Sequence, residues 1–290
     1  MAEKIAVSLT SADQEYQARQ AQDAVETGRR LGVEVEVLFA EDSGVLQIQQ
    51  LFRLVHAPEG ERPAVLLVHT RVPDGLERVA RNAAKAGVGW ILLNRAAPYV
   101  ETLRSEHPAL AIAAVTTDHV EIGRIHARQL ARLCPGGGQV LYVQGPAEAW
   151  AARLRLEGLE EALRGRPYEF KVVNGDWTSA SAQRAVAAWL RLRTTELFSP
   201  RAVVCQNDNM AQGAGKALQA LRPAWARLPF LGCDGLPNGG RRDVDEGRLA
   251  GTVTLPSCAG PAVELAVAWK RTASLPPSTT TLAPSAYPRE

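Results

Sequence analysis

No stretch of the 290-residue chain reaches the roughly 18 consecutive apolar residues that a membrane-spanning helix requires. The first 30 residues hold no apolar signal core either, because Ile5–Leu9 gives way at once to Thr10-Ser11-Ala12-Asp13-Gln14-Glu15. The expected location is therefore cytoplasmic, or extracytoplasmic after removal of a signal peptide. An excess of charge is also missing: 33 basic residues meet 31 acidic ones, a net +2, which gives no footing for nucleic acid or an anionic membrane surface. Cysteine is scarce. Cys134, Cys205, Cys233 and Cys258 are scattered without a CxxC pair, so they read as small buried hydrophobes and not as a disulfide framework. The five histidines show no metal-ligand spacing. Walker A, GxSxG and HExxH motifs are absent, and Gly136-Gly137-Gly138 precedes a strand where a dinucleotide loop would follow one. No catalytic residue, metal or cofactor is expected, and the chain does not read as an enzyme.

What is present is alternation. Val33–Phe39 repeats at period two, and the helix before it shows Ala21, Val25, Gly28 and Leu31 on one face and stops at Gly32, a C-cap signal. Val45, Ile48, Phe52 and Val55 make a second helix face. Strands are predicted over 64–68, 88–93 and 109–115, with a helix near 76–86. After Thr116-Thr117, Asp118 with Glu121 reads as a capping box for a helix running to Leu133. The pattern then restarts: strands over 139–143, 168–173, 202–205 and 229–232 alternate with helices near 148–164, 179–193 and 208–221. Strand 249–254, helix 259–272 and a Pro/Thr-rich tail close the chain. Such alternation implies α/β architecture with doubly wound parallel sheets, and 290 residues accommodate two domains.

Ligands of open parallel sheets bind beyond the carboxyl ends of the strands. Those ends carry Asn94-Arg95, Asp118, Gln144, Asp176-Trp177, Asn207-Asp208 and Asp234. Each also has a plain structural reading. Asp118, Asn207 and Asp208 could cap helices, Asp234 could serve a turn before Gly235, Arg95 could be surface, and Trp177 could cover the core. Arg153 lies off the apolar stripe Ala152, Leu156, Leu159, Leu163 near the rim, or pairs with Glu157 at the surface. Together these residues place carboxylate, amide, guanidinium and indole on one rim, the chemistry that a polyhydroxylated small molecule needs.

Gln206-Asn-Asp-Asn-Met-Ala-Gln-Gly-Ala214 and Gly232-Cys-Asp-Gly-Leu-Pro237, supported by Ala151–Gly158, Leu93-Asn-Arg95 and Gly247–Val253, resemble the type I periplasmic sugar-binding proteins of the ribose/galactose group. The core of that group is shared with lactose-repressor-type regulators, and the similarity runs from Lys4 to about Thr281. The resemblance implies two doubly wound parallel-sheet domains joined by a three-segment hinge, with crossings near 115–117, 254–256 and 276–279. The expected domains are 1–115 plus 256–277 and 116–255 plus 278–290. It also implies that Arg95 and Arg153 donate to sugar hydroxyls, that Asn207 and Asp234 bond around the ring, and that Trp177 stacks on an apolar sugar face. Asn94 stands where many relatives have Asp, and Leu255 where the ribose-binding pattern has a hinge Gln. Tyr16 is the aromatic available to the first strand-end loop. These departures point away from ribose itself, toward another pentose or hexose, a sugar derivative or another polyol.

The function implied is a monomeric solute-binding protein that closes on a carbohydrate and delivers it to the membrane permease of an ABC transporter, in the periplasm or another extracytoplasmic space. The alternative is the sugar-sensing effector domain of a transcriptional regulator or signalling receptor. A helix-turn-helix ahead of the core takes ~50–60 residues, and the first strand begins at about Lys4, so no nucleic-acid partner is expected for this chain.

Overall fold

The computed structural model describes residues 4–70, 75–192, 195 and 197–289. In chain order the elements begin β1 (Lys4–Leu9), α1 (Glu15–Leu31), β2 (Glu34–Phe39), α2 (Gly44–Val55), β3 (Val65–Val68), α3 (Leu76–Lys85), β4 (Gly89–Leu93), α4 (Pro98–Glu106) and β5 (Ile112–Thr117). There follow α5 (His119–Leu133), β6 (Gly138–Gln144), α6 (Trp150–Ala162), β7 (Tyr168–Asn174), α7 (Ser179–Leu190), β8 (Pro200–Cys205), α8 (Asp208–Leu221), β9 (Phe230–Asp234) and α9 (Arg242–Asp245). The chain closes with β10 (Gly251–Thr254), α10 (Ala259–Thr272), β11 (Thr279–Leu282) and β12 (Ser285–Tyr287). They form two compact units. One runs to Thr117 and adds Pro256–Leu282; the other holds Asp118–Leu255 and the chain from Ala283 on. The backbone thus passes between units after Thr117, Leu255 and Leu282.

The first unit is a sheet in the order β2-β1-β3-β4-β5-β11, parallel throughout. Period-two alternation sorts its strand residues into two apolar layers. Ile5, Val7, Leu9, Leu67 and Leu93 pack with Ala24 of α1 and Ala259 and Val263 of α10. Ala6, Leu66, Trp90 and Leu92 pack with Leu51, Val79 and Leu103 on α2, α3 and α4. The second unit repeats the winding as β7-β6-β8-β9-β10-β12, with β12 antiparallel to β10. Leu141, Val143 and Val203 face α7 and α8, while Val140, Tyr142 and Val204 face α5 and α6. Helices α5 and α6 meet backbone to backbone: a Cβ on Gly123 would collide with the Arg155 carbonyl, and one on Gly158 with the Val120 carbonyl.

Four expectations need correction. Residues 279–282, expected in the second domain, form β11 and pair with β5 in register Thr279↔Ala114 to Leu282↔Thr117. Without them β5 would be a bare sheet edge. The helix faces are rotated: α1 buries Gln17, Gln20, Ala24 and Gly28, and α2 buries Gln47, Leu51, Leu54 and Val55 while Val45 is exposed. Buried glutamines with hydrogen-bond partners take positions that polarity alone assigns to solvent. Helix α4, which starts at Pro98, is an additional element. Asp118 caps α5, accepting from the Glu121 N–H at 2.8 Å, but the Glu121 carboxylate turns to Arg128 at 2.9 Å, leaving the reciprocal half of a capping box unmade.

Candidate functional site

Six described non-glycine residues have positive φ, and three of them are strand-end residues singled out from sequence: Asn94 (60°), Trp177 (75°) and Asp234 (113°). Left-handed backbone at such residues costs about 1–3 kcal/mol each and persists where the surroundings over-determine it. The two rims are built from different neighbours.

On the rim of the first unit, Asn94 directly follows β4, and its N–H donates to the Val115 carbonyl at 2.7 Å, so the turn stays tied to β5. Arg95 is next, half-buried. Burial pushes the nearby Tyr99 hydroxyl up to about 12, partly offset by the neighbouring Trp90 indole and by the Arg95 charge. Tyr16 lies in the first turn of α1 with its ring buried, and its hydroxyl donates to the Pro256 carbonyl at 3.0 Å, at the start of the returning segment. Glutamines bind the surrounding loops. Gln20 Oε1 accepts from the N–H groups of Cys258 and Ala259, both at 3.0 Å, and so caps α10. Gln47 Nε2 donates to Ser8 Oγ at 3.0 Å and the His69 carbonyl at 2.7 Å, and Gln17 Nε2 lies 2.6 Å from His69 Nδ1.

On the rim of the second unit, Asn207 caps α8. Its Oδ1 accepts from the Met210 N–H at 2.8 Å, and its Nδ2 donates to the Trp177 carbonyl at 2.9 Å, fixing the left-handed residue. An amide has four hydrogen-bonding positions, so two remain after these bonds. The Trp177 indole packs against Gly145, where a Cβ would overlap the ring. The Arg155 guanidinium lies over the same indole, 5.5 Å from its centroid. Arg155 is 3% exposed, donates from Nη1 to the Gln206 carbonyl, and keeps a buried Nε without a hydrogen-bond partner. Gln206 is wholly committed inside, to the Gly145 N–H, Tyr142 Oη and the Ala152 carbonyl at 2.7–3.0 Å. Asp234 ends β9 and its carbonyl accepts from the Leu255 N–H at 3.0 Å.

Trp177, Asn207 and Asp234 therefore share one rim, and Asn94 and Arg95 share the other. Arg153 is exposed on α6, lining a surface depression with Gln144, Glu157 and Glu160. Two residues apart on a helix means opposite faces, and it is Arg155 that turns inward. The signal was available: Arg155 stands three after Ala152 and four before Leu159, on the apolar stripe, where a cation needs a polar interior partner. Among the described residues no cluster of His, Cys, Asp and Glu could hold a metal ion, and no helix is long and apolar enough to cross a membrane. All four cysteines are buried and free.

A periplasmic binding protein domain family matches residues 5–256. The ribose import binding protein of Escherichia coli is 28% identical over 189 residues, 65% of this chain and 59% of that protein. The xylitol-binding protein of Mycolicibacterium smegmatis is 29% identical over 195 residues, 65% of this chain and 50% of that protein. The matched stretch thus spans about half to three-fifths of these relatives. A periplasmic solute binding protein from Actinobacillus succinogenes, solved with bound D-allose, superposes with a TM-score of 0.84 at 22% identity, covering 98% of this chain and 96% of that one.

Proposed function

This chain belongs to the periplasmic binding protein domain family, and from that premise we propose that it binds a sugar or related polyol and delivers it to the permease of an ABC transporter. The observation that carries this reading is the strained trio: Asn94, Trp177 and Asp234, all left-handed, all at or just beyond the carboxyl ends of strands. Asp234 accepts from hydroxyls, as a carboxylate does most strongly. Asn207 uses its two remaining positions, and Arg95 donates from a planar fork suited to paired oxygens. Arg155 takes the donor role expected of Arg153. Trp177 offers an indole face to sugar C–H groups, and Tyr16 shapes the first-unit loop. Ribose, xylitol and D-allose, named for the proteins similar to this one, share vicinal hydroxyls that such a set recognises.

A ligand held by residues of both units binds a closed arrangement better than an open one and shifts the population toward it. The three short crossings favour a hinge. Mass spectrometry of small molecules released from purified protein, followed by a thermal-shift panel of pentoses, hexoses and polyols, tests the reading. A released or stabilising polyol supports it; stabilisation by none of the panel, with no ligand released, would overturn it. Scattering tests closure, since the radius of gyration is expected to fall on saturation with the stabilising compound.

A further inference from the structure

Beside Asp234 lies a second carboxylate with a different task. Asp208, the first residue of α8, is 3% exposed. Its Oδ2 accepts from the Gly235 N–H at 2.8 Å and its Oδ1 from Thr252 Oγ1 at 2.7 Å. Two glycines make the space it occupies: a Cβ on Gly232 or on Gly240 would overlap the carboxylate. Gly235, whose N–H it holds, is left-handed (φ 56°), directly after Asp234 at 113°. The carboxylate thus grips the backbone one residue past the strained aspartate and ties it to β10 through Thr252. Burial, then the Asp234 charge, push the Asp208 carboxyl well above the usual carboxylate range. An acid held so unfavourably in the interior marks a position where geometry outweighs electrostatic cost.

We propose that Asp208 is a positioning residue for ligand binding: by fixing the left-handed Asp234-Gly235 turn it aims the Asp234 carboxylate. This inference rests on the sugar-binding reading for its consequence, though not for its geometry. Asparagine at this position offers one oxygen to the Gly235 N–H and an N–H to Thr252 Oγ1, whereas alanine offers neither. In Asp208→Ala the Gly235 amide should exchange with solvent at least about tenfold faster, the order expected when a buried N–H loses its hydrogen-bond partner. Asp208→Asn should keep the slow rate. Should the alanine variant fail to fold, Gly240→Ala, which pushes its methyl into the carboxylate, should speed Gly235 exchange in the same way.

Binding is then titrated with D-ribose, D-allose and xylitol. For whichever binds the wild type, Asp208→Ala should weaken affinity by about tenfold or more and Asp208→Asn should restore most of it. In an Asp234→Asn background the alanine substitution should cost little further, since coupled residues are non-additive. Unchanged Gly235 exchange in the alanine variant, or fully additive losses in the cycle, would overturn the proposal. If none of the three sugars binds the wild type, the ligand reading fails for these compounds, and the exchange rates still decide what Asp208 holds.

Discussion

Arg155→Ala and Arg153→Ala, two residues apart on α6, are expected to behave as opposites. Arg155 is buried, bonded to the Gln206 carbonyl and laid over the Trp177 indole at 5.5 Å. A hydrogen bond to a charged group contributes about 1.5–3 kcal/mol, and a desolvated cation–π contact about 0.5–2 kcal/mol. Relief of the buried charge offsets part of this, so the net loss in Arg155→Ala should be about 2–3 kcal/mol. In a unit of this size that lowers the unfolding midpoint by about 5–10 °C. Arg153 is exposed, and its removal should stay within about 0.5 kcal/mol. Circular-dichroism melting of the three proteins measures the difference, and tryptophan emission should change only in Arg155→Ala, where the indole loses its neighbour. Arg155→Lys, which keeps charge but not the planar fork, should fall between. Equal midpoints for the two alanine variants, or a larger loss from Arg153→Ala, would refute the assignment of the inward guanidinium.

Three further outcomes are expected. His126 is buried with Nε2 2.7 Å from the Gly232 carbonyl, and burial lowers its pKa from 6.5 to about 4. The folded protein therefore keeps it neutral where the unfolded chain is protonated, so its contribution is present above pH 6.5 and lost as pH falls toward 4, about 3 kcal/mol in all. Asp208, shifted upward, acts in the opposite sense, so the test is the difference between wild type and His126→Gln: the wild type should lose about 3 kcal/mol relative to the variant between pH 7 and 4, and parallel stability curves would reject it. Gly158→Ala should destabilise the second unit by at least about 2 kcal/mol, because its methyl meets the Val120 carbonyl with no side chain to yield; a denaturation midpoint unchanged from wild type would contradict this. Burial raises the Cys233 thiol to about 12 and the Cys258 thiol to about 11, so a thiol reagent at neutral pH should label neither until denaturant is added.

The alternating strands and helices were legible because the central strands β3, β4, β5 and β9 bury both faces and the turns between elements are marked by small or polar residues. Gly32 ended α1 in a left-handed cap at φ 70°, and Asn207 and Asp118 showed their capping geometry directly. Helix faces were less legible. Gln17, Gln20 and Gln47 sit inside because each has polar partners there, and those partners are far away in sequence: Gln20 reaches Cys258 across 238 positions. The same distance hid the pairing of β11 with β5, since nothing local in Thr279–Leu282 names its sheet. At the rim, Asp234, Asn207 and Trp177 could be picked out by residue type at strand ends. Arg155 could not be chosen over Arg153 by type, only by its place on the apolar stripe, and Asp208 reads as a helix cap until the glycines around its carboxylate are seen.

Isothermal titration calorimetry of D-ribose, D-allose and xylitol into wild type and Asp234→Ala tests the binding account most directly. The account expects saturable one-to-one binding of at least one compound to the wild type. It also expects an affinity loss of more than about tenfold in the variant, the worth of charge-assisted hydrogen bonds, while the variant stays folded. Heat from none of the three nor from any other member of the pentose, hexose and polyol panel, or superimposable isotherms for the two proteins, would contradict it.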